Sequence, residues 1–287
     1  MATDQNPTMK TLFTLPIAPS GSQPGGTLTC TSPLSPSSDD PSKIYILTLS
    51  SPPDNRLTPP LITALLTALD LLEFSFPSGV VITTSSLPKF FSNGLDLSHA
   101  LSDPSFLPFH LYPLFRRFLT YPMPTIALLN GHAFAGGLML AMHMDYRVMN
   151  PARGFACINE LDFGVPLKPA MSAIFRSKCT PTTYRQLVLE AHRFGGTEAK
   201  EVGIVDVTGG LEEVIQFVQE RKLTEKGKTG IYGLMKREMY RETVEGYLTA
   251  EGYEREEERE RRIVKEEEER KEKGKSIREV KEGLSKL

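Results

Sequence analysis

Two glycine-containing turns in the sequence have the composition of an anion-binding site. Residues 89–97 (KFFSNGLDL) follow an apolar run of strand length and contain Gly94. Residues 130–142 (NGHAFAGGLMLAM) follow a second such run and contain Gly136. Small residues at a helix N-terminus leave backbone N–H groups and the positive end of the helix dipole free to stabilise a developing negative charge. Two such turns could direct two N–H donors at one oxygen and form an oxyanion hole, although each alone also fits a tight connection with no catalytic role.

One acidic residue, Glu160, stands between two apolar segments and is the candidate for moving a proton. Residues 155–158 before it and residues 165–167 after it are apolar. Burial among apolar groups disfavours the charged carboxylate and raises its pKa, which makes it a better proton carrier near neutral pH. The alternatives are a helix cap or a surface carboxylate, and Asp162 competes for the same role.

The predicted secondary structure alternates strands and helices, which is the pattern of an α/β protein. Residues 43–49 (KIYILTL) predict a strand, because they are β-branched, aromatic and apolar. Residues 57–74 carry apolar side chains at helical spacing, with Thr58 and two prolines at the start. The apolar run at residues 79–84 predicts a strand buried on both faces, so these elements form a βαβ unit with a right-handed crossover. Further helices are predicted at residues 106–120 and 137–144, and further strands at residues 125–129 and 146–149.

Both ends of the chain differ in composition from the middle. Residues 18–42 are rich in Ser, Pro, Gly and Thr, with short possible strands at residues 11–16 and 27–31, and predict an irregular edge with a flexible loop. Residues 232–248 can form an amphipathic helix. Residues 254–275 are nearly all Glu, Arg and Lys with oppositely charged pairs at helical spacing. This composition favours a long exposed helix or a disordered charged tail over a partner-binding arm. The predicted division is an N-terminal edge (1–42), a core (43–225), a helical region (226–253) and a charged tail (254–287).

Composition and charge exclude several classes of function. The 287 residues carry a formal net charge of −2, which gives no electrostatic attraction to nucleic acid or to an anionic membrane. The sequence has no apolar run of the length that a membrane-spanning helix needs. Cys30, Cys157 and Cys179 are far apart and fit neither a zinc site nor a disulfide framework. We therefore expect incidental thiols and no metal.

The three candidate segments, in this order and at this spacing, resemble the enoyl-CoA hydratase/isomerase (crotonase) family. The first matches a turn of the type F-[SA]-x-G-x-D. The second matches NGxAxGGG-x-x-L-A with Ala135 in place of the first of the three glycines, and an aspartate follows, here Asp145. The third ends in Glu160 with Gly164 four residues later, and a stretch at residues 196–206 (GTEAKEVGIVD) also resembles the family. The resemblance covers residues 43–210 and implies a crotonase-like spiral of ββα units with C-terminal helices. It also implies a homo-oligomer, a trimer or a hexamer.

The resemblance implies roles for individual residues. The thioester oxygen of an acyl-CoA substrate would lie between the backbone N–H groups of Asn93 and Gly136. Glu160 would remove a proton from C2 of the substrate and return it to C4. No cofactor or metal is implied, since the CoA is part of the substrate. The residues implied to contact the substrate are Ser92, Gly94, Leu95, Asp96 and Gly137.

One departure from the family pattern favours isomerisation over hydration as the expected reaction. Hydratases of the family carry two glutamates, and the position of the first is occupied here by Met139, which can act as neither acid nor base. A site with a single carboxylate resembles that of the Δ3,Δ2-enoyl-CoA isomerases, which bring a 3-enoyl double bond into conjugation. The alternatives are a hydratase-like or thioester-hydrolysing enzyme and a catalytically silent scaffold. His132 and the neighbouring methionines are expected to be packing residues.

The sequence closes with Ser285, Lys286 and Leu287, which match a peroxisomal import signal. This tripeptide and the resemblance together predict a peroxisomal enzyme of fatty-acid β-oxidation. Its expected partners are an acyl-CoA thioester and the peroxisomal import receptor.

Overall fold

The structure is a computed structural model that describes residues 8–34 and 42–284. The Ser/Pro-rich loop predicted before residue 42 and the predicted import signal Ser285, Lys286 and Leu287 lie wholly or partly outside these ranges. The strands of the described residues are β1 (Met9–Ile17), β2 (Gly26–Pro33), β3 (Ile44–Ser50), β4 (Val80–Ser85), β5 (Phe90–Ser92), β6 (Thr125–Leu129), β7 (His132–Phe134), β8 (Tyr146–Met149), β9 (Ala156–Cys157) and β10 (Val207–Thr208).

The helices surround two sheets and continue into a long C-terminal tail. A π-helix (Leu107–Leu111) precedes α3, and a short 3-10 helix (Leu223–Glu225) follows α9. The α-helices are α1 (Pro59–Ser75), α2 (Leu97–Ser102), α3 (Tyr112–Thr120), α4 (Gly136–His143), α5 (Glu160–Phe163), α6 (Pro169–Lys178), α7 (Pro181–Leu189), α8 (Gly196–Glu201), α9 (Leu211–Glu220), α10 (Tyr232–Met239), α11 (Arg241–Gly246) and α12 (Ala250–Leu284).

The main sheet has the strand order β1-β2-β3-β4-β6-β8-β10, and its strands from β3 onward pair in parallel. Apolar residues alternate between two hydrophobic clusters, so that Tyr45 and Leu47 face one cluster while Ile44 and Ile46 face the other. Helices α1, α3 and α4 cover one face, and α9 packs on the opposite face through Val214, Phe217 and Val218. Burial on both faces explains why the central strands are continuous apolar runs. The predicted α/β class is confirmed.

A second, smaller sheet has the parallel order β5-β7-β9. Each of its strands follows a strand of the main sheet after a short turn and leads into a helix, which gives the ββα units β4-β5-α2, β6-β7-α4 and β8-β9-α5. The expected crotonase-like repetition of ββα units is therefore present. Because parallel strands end on the same side of a sheet, the three segments that follow β5, β7 and β9 lie next to one another.

The N-terminal segment contributes an antiparallel edge to the main sheet. Its described residues form two regular strands, β1 and β2, which pair antiparallel with each other and through β2 with β3. Leu28 and Cys30 of β2 are fully buried in the core. The short strands predicted at residues 11–16 and 27–31 coincide with β1 and β2, and both are a few residues longer than predicted. The division of the chain into four segments stays a prediction.

Two predicted helices are each divided in the structure. The segment 106–120 begins with the π-helix and continues as α3, with Pro108 and Pro113 at the start of each part. The segment 232–248 is interrupted at Tyr240, where α10 ends and α11 begins. The charged tail is helical as predicted and begins earlier, at Ala250. No helix of the described residues is both long and apolar enough to cross a membrane.

Candidate active site

The segments after β5, β7 and β9 enclose a cavity of about 240 Å³. Most of its wall is apolar. The residues that line it are Arg56, Asn93, Leu95, Leu97, Ala100, Leu101, Leu107, Ala135, Asn159, Glu160, Phe163, Val165, Pro166, Lys168 and Met171. A larger, more open cleft of about 950 Å³ lies between α1, α3 and α12, but it contains none of the candidate residues. Size alone therefore does not identify the site.

Glu160 is the only carboxylate among the described residues that line the cavity. Its Oε2 is buried and has no hydrogen-bond partner within the described part of the chain. Burial raises the pKa of Glu160 from 4.5 to about 7, because the apolar wall disfavours the charged form. The desolvation expected from the flanking sequence is confirmed. The rival carboxylate, Asp162, is exposed and does not line the cavity.

Asn159 also presents an unpaired polar atom at the cavity. It occupies the N-cap position of α5, yet its side chain accepts no capping hydrogen bond. The residue is 8% exposed, and its Oδ1 is buried without a hydrogen-bond partner among the described residues. An asparagine at this position normally caps the helix. The sequence pattern alone could not reveal that this amide instead lies at the cavity wall.

Gly136 begins α4 directly after a strained residue. Ala135 has a φ of +50°, an uncommon backbone conformation for a residue with a side chain. Gly136 N–H is at the first position of the helix, and no partner for it is found in the described ranges. A Cβ at Gly136 would lie 3.3 Å from Leu95 N, so the two turns touch. The predicted convergence of two glycine-containing turns is confirmed.

The donor opposite Gly136 differs from the predicted one. Asn93 N–H is already donated to Asp54 O at 2.9 Å, and Gly94 N–H is donated to Ser92 Oγ at 3.2 Å. Leu95 N–H has no partner among the residues that the structure describes. The prediction of Asn93 N–H as an oxyanion donor is therefore wrong for this conformation, and Leu95 N–H is the available group.

The other residues implied to contact the substrate have structural roles at the edge of the cavity. Ser92 is fully buried, and its Oγ donates to Asn55 O at 2.7 Å. Asp96 caps α2 by accepting from His99 N–H at 3.3 Å. Gly94 has a φ of +84°, and a Cβ at Gly137 would lie 2.3 Å from Ser92 O. Of the predicted contact residues only Leu95 lines the cavity.

Met139 lies in the hydrophobic core rather than at the cavity. His132 stacks on Phe155 with ring centroids 5.7 Å apart, and its Nδ1 accepts from Phe155 N–H. Partial burial and the nearby cations lower the pKa of His132. The prediction that His132 and the methionines pack is confirmed.

Arg56 and Lys168 are cavity residues that the sequence analysis did not single out. Neither residue belongs to a sequence motif, so no local pattern marks it. The site as a whole has one carboxylate whose pKa is raised by burial, and two adjacent backbone donors that have no partner among the described residues. This arrangement suits removal and return of a proton beside a carbonyl whose oxygen is hydrogen-bonded.

The chain is similar in sequence and in fold to known enoyl-CoA enzymes. A sequence model described as enoyl-CoA hydratase/isomerase matches residues 39–281. The chain is 35% identical over 214 residues to enoyl-CoA delta isomerase 1, peroxisomal, of Arabidopsis thaliana, covering 70% of this chain and 88% of that one. It is 32% identical over 212 residues to enoyl-CoA delta isomerase 3 of the same plant, with coverage of 69% and 89%. An enoyl-CoA hydratase/isomerase family protein from Pseudomonas syringae superposes with a TM-score of 0.65 at 25% identity, covering 72% of this chain and 92% of that one.

Proposed function

Since the chain belongs to the enoyl-CoA hydratase/isomerase family, we propose that it is an isomerase that converts a 3-enoyl-CoA into the conjugated 2-trans-enoyl-CoA. The observation that carries this proposal is the single buried carboxylate of Glu160 in an apolar cavity that Leu95 and Ala135 also line. The N–H groups of Leu95 and Gly136 have no partner among the described residues. An isomerase needs one group that takes and returns the same proton. A hydratase must also activate and place a water molecule, and Met139 cannot help to do so.

The reaction would proceed by proton relay through Glu160. Leu95 N–H and Gly136 N–H would bind the thioester oxygen and acidify the protons at C2. Glu160 would take one of them, so that the C2–H bond breaks, an O–H bond forms on the carboxylate and the electron pair moves toward the thioester oxygen. The dienolate would then take the proton from Glu160 at C4, leaving the double bond between C2 and C3. No atom is gained or lost, and the reaction needs no cofactor or metal.

The pKa of Glu160 suits both halves of this relay. At a pKa of about 7 the carboxylate is a stronger base than an exposed glutamate and is ionised in a useful fraction at neutral pH. The same value makes the protonated form a competent acid toward C4. The apolar wall that raises the pKa would also keep water from the dienolate.

The test is a paired assay on the purified protein. Isomerisation of 3-hexenoyl-CoA and hydration of 2-hexenoyl-CoA would be followed side by side. Fast isomerisation with little hydration supports the proposal. Hydration as fast as isomerisation would favour the hydratase-like alternative, release of free CoA would favour a thioesterase, and no turnover of either substrate would favour a scaffold.

We also propose that the protein acts in peroxisomal β-oxidation, with an acyl-CoA thioester and the import receptor as partners. The support is the terminal tripeptide and the peroxisomal designation of the Arabidopsis relative.

The proposed homo-oligomer has separate support from an apolar face of α10. Ile231, Leu234, Met235 and Met239 are exposed at helical spacing there. Such a contiguous face is typical of an interface. Light scattering coupled to size-exclusion chromatography would measure the oligomeric state, and a monomer would contradict this proposal.

A further inference from the structure

The loop before α1, residues 54–57, holds the turn that carries Leu95 N–H through a series of hydrogen bonds. Four consecutive residues, Asp54 to Leu57, each bond to the turn formed by residues 91–95. Asn55 Nδ2 donates to Phe91 O at 3.0 Å, Asp54 O accepts from Asn93 N–H at 2.9 Å, Leu57 N–H donates to Gly94 O at 2.8 Å, and Arg56 Nη1 donates to Leu95 O at 2.9 Å.

These contacts fix the direction of Leu95 N–H. The Gly94 carbonyl and Leu95 N–H belong to one planar peptide group, in which the C=O and N–H bonds point in opposite directions. Leu57 N–H holds the Gly94 carbonyl toward the loop of residues 54–57, so Leu95 N–H points away from that loop. Arg56 holds the next peptide group through Leu95 O, and thus both peptides that flank Leu95 are fixed.

The carboxylate of Asp54 connects the side chains of Arg56 and Asn93 in this hydrogen-bond network. Its Oδ2 accepts from Asn93 Nδ2 at 2.8 Å and lies 3.2 Å from Arg56 Nε. The side chain is only 10% exposed, so water screens these charge-assisted contacts weakly. Asp54 does not line the cavity and so does not touch substrate there. It therefore links Arg56 of the loop to Asn93 of the turn.

We propose that Asp54 is a positioning residue that aims Leu95 N–H at the substrate oxygen by holding Arg56 and Asn93. This inference rests on the proposed function, because the aimed group matters only if a carbonyl oxygen is bound there. A displacement of about 1 Å in such a site can cost about 100-fold in rate. Loss of the Asp54 charge therefore affects the polarisation of the bound carbonyl more than it affects binding.

The experiment measures the carbonyl directly. Hexanoyl-CoA labelled with ¹³C at the thioester carbonyl is bound to the parent protein and to Asp54→Asn, and the carbonyl stretch is recorded by isotope-edited infrared difference spectroscopy. The parent is expected to shift the band to lower frequency, and Asp54→Asn is expected to lose most of that shift. With 3-hexenoyl-CoA, kcat is expected to fall about 10- to 100-fold, while KM changes much less.

Two further variants complete the test. Asp70→Asn removes an exposed carboxylate that pairs with Arg117 far from the turn, and it is expected to leave the shift unchanged. Asp54→Glu keeps the charge and is expected to recover part of the shift, and it replaces Asp54→Asn if that variant does not fold. A shift in Asp54→Asn equal to that of the parent overturns the inference. Where only Asp54→Glu folds, a carbonyl band at the parent's frequency overturns it, because the longer side chain must displace Arg56 or Asn93. A parent that shifts the band but isomerises nothing overturns the proposed function alone.

Discussion

Tyr112 O–H donates a 2.6 Å hydrogen bond to Glu256 Oε1 and so ties α3 to the charged C-terminal helix. Glu256 is 4% exposed, although most of its neighbours in α12 face solvent. Lys168, a residue of the cavity wall, contacts the same helix through Glu260 at 2.6 Å. The first turns of α12 therefore pack against the wall of the site, and only the later turns have the solvated character expected of a charged tail.

Replacing Glu256 with alanine is expected to destabilise the protein and release the start of α12. The change leaves the buried Tyr112 O–H without an acceptor and removes one carboxylate from Lys168. Loss of a buried hydrogen bond to a charged group costs about 1.5–3 kcal/mol. Urea denaturation would measure the free energy of unfolding, and hydrogen exchange would report on the first turns of α12. Glu267→Ala, in the exposed part of the same helix, is the control, and equal effects of the two changes would contradict the packing role.

Replacing Glu160 with glutamine is expected to abolish isomerisation while acyl-CoA binding persists. Glutamine keeps the size of the side chain but cannot take a proton. Loss of a general base typically costs about 10²–10⁴-fold in rate. Turnover of 3-hexenoyl-CoA and the affinity for hexanoyl-CoA would be measured on the same preparation. The control is Asp162→Asn, an exposed carboxylate of the same short helix. Full activity of the Glu160 variant would rule out the proposed relay.

The pH dependence of kcat/KM is expected to report the pKa of Glu160 in the free enzyme. Only the ionised carboxylate can remove the C2 proton, so kcat/KM should fall as the pH drops below about 7. The decline should follow the uptake of a single proton. Rates would be measured from pH 5.5 to 9 in buffers of constant ionic strength. A profile that stays level down to pH 5.5 would mean that the reacting base is not Glu160.

The central strands could be predicted from the sequence because burial on both faces leaves a continuous apolar run. The predicted strands at residues 125–129 and 146–149 coincide with β6 and β8. The strands of the small sheet were missed, since β9 has two residues and β5 and β7 have three. So few residues cannot display the two-residue period of a strand. The ββα repeats therefore followed only from the family resemblance.

The candidate site was predictable where the signal is local. The apolar segments around Glu160 indicated its burial and its raised pKa. Which backbone N–H is free could not be predicted in the same way. Asn93 N–H is occupied by Asp54 O, which lies 39 residues earlier in the chain, and only the folded structure brings the two together. The proposed donor is therefore Leu95 N–H rather than Asn93 N–H, for a reason that lies far away in the sequence.

Deletion of Leu287 is expected to leave the protein in the cytosol. The proposed import signal is recognised as a specific tripeptide, so removing one of its residues destroys the match. A fluorescent protein fused to the N-terminus would show the location of the parent and the shortened chain. Glu267→Ala, which keeps the tripeptide, is the matched control. Shortened protein that still enters peroxisomes would count against direct import through this signal.

Glu160→Gln is also expected to stabilise the protein at alkaline pH. The pKa of Glu160 in the native state, about 7, exceeds its ordinary value of 4.5, so the folded protein binds this proton more tightly than the unfolded chain does. Stability contributed by the bound proton is complete below pH 4.5 and is lost as the pH rises through 7. A pKa difference of this size corresponds to a loss of at most about 3 kcal/mol.

Glutamine does not ionise and escapes this loss. The gain in unfolding free energy of Glu160→Gln over the parent should therefore grow between pH 5 and pH 8, when both are measured by urea denaturation. Asp162→Asn should show no such growth, because Asp162 is exposed. Parallel pH dependences of the parent and Glu160→Gln would show that Glu160 is not held in a desolvated position. A growing difference would show that the buried base reduces the stability of the fold, as is common for residues placed for reaction.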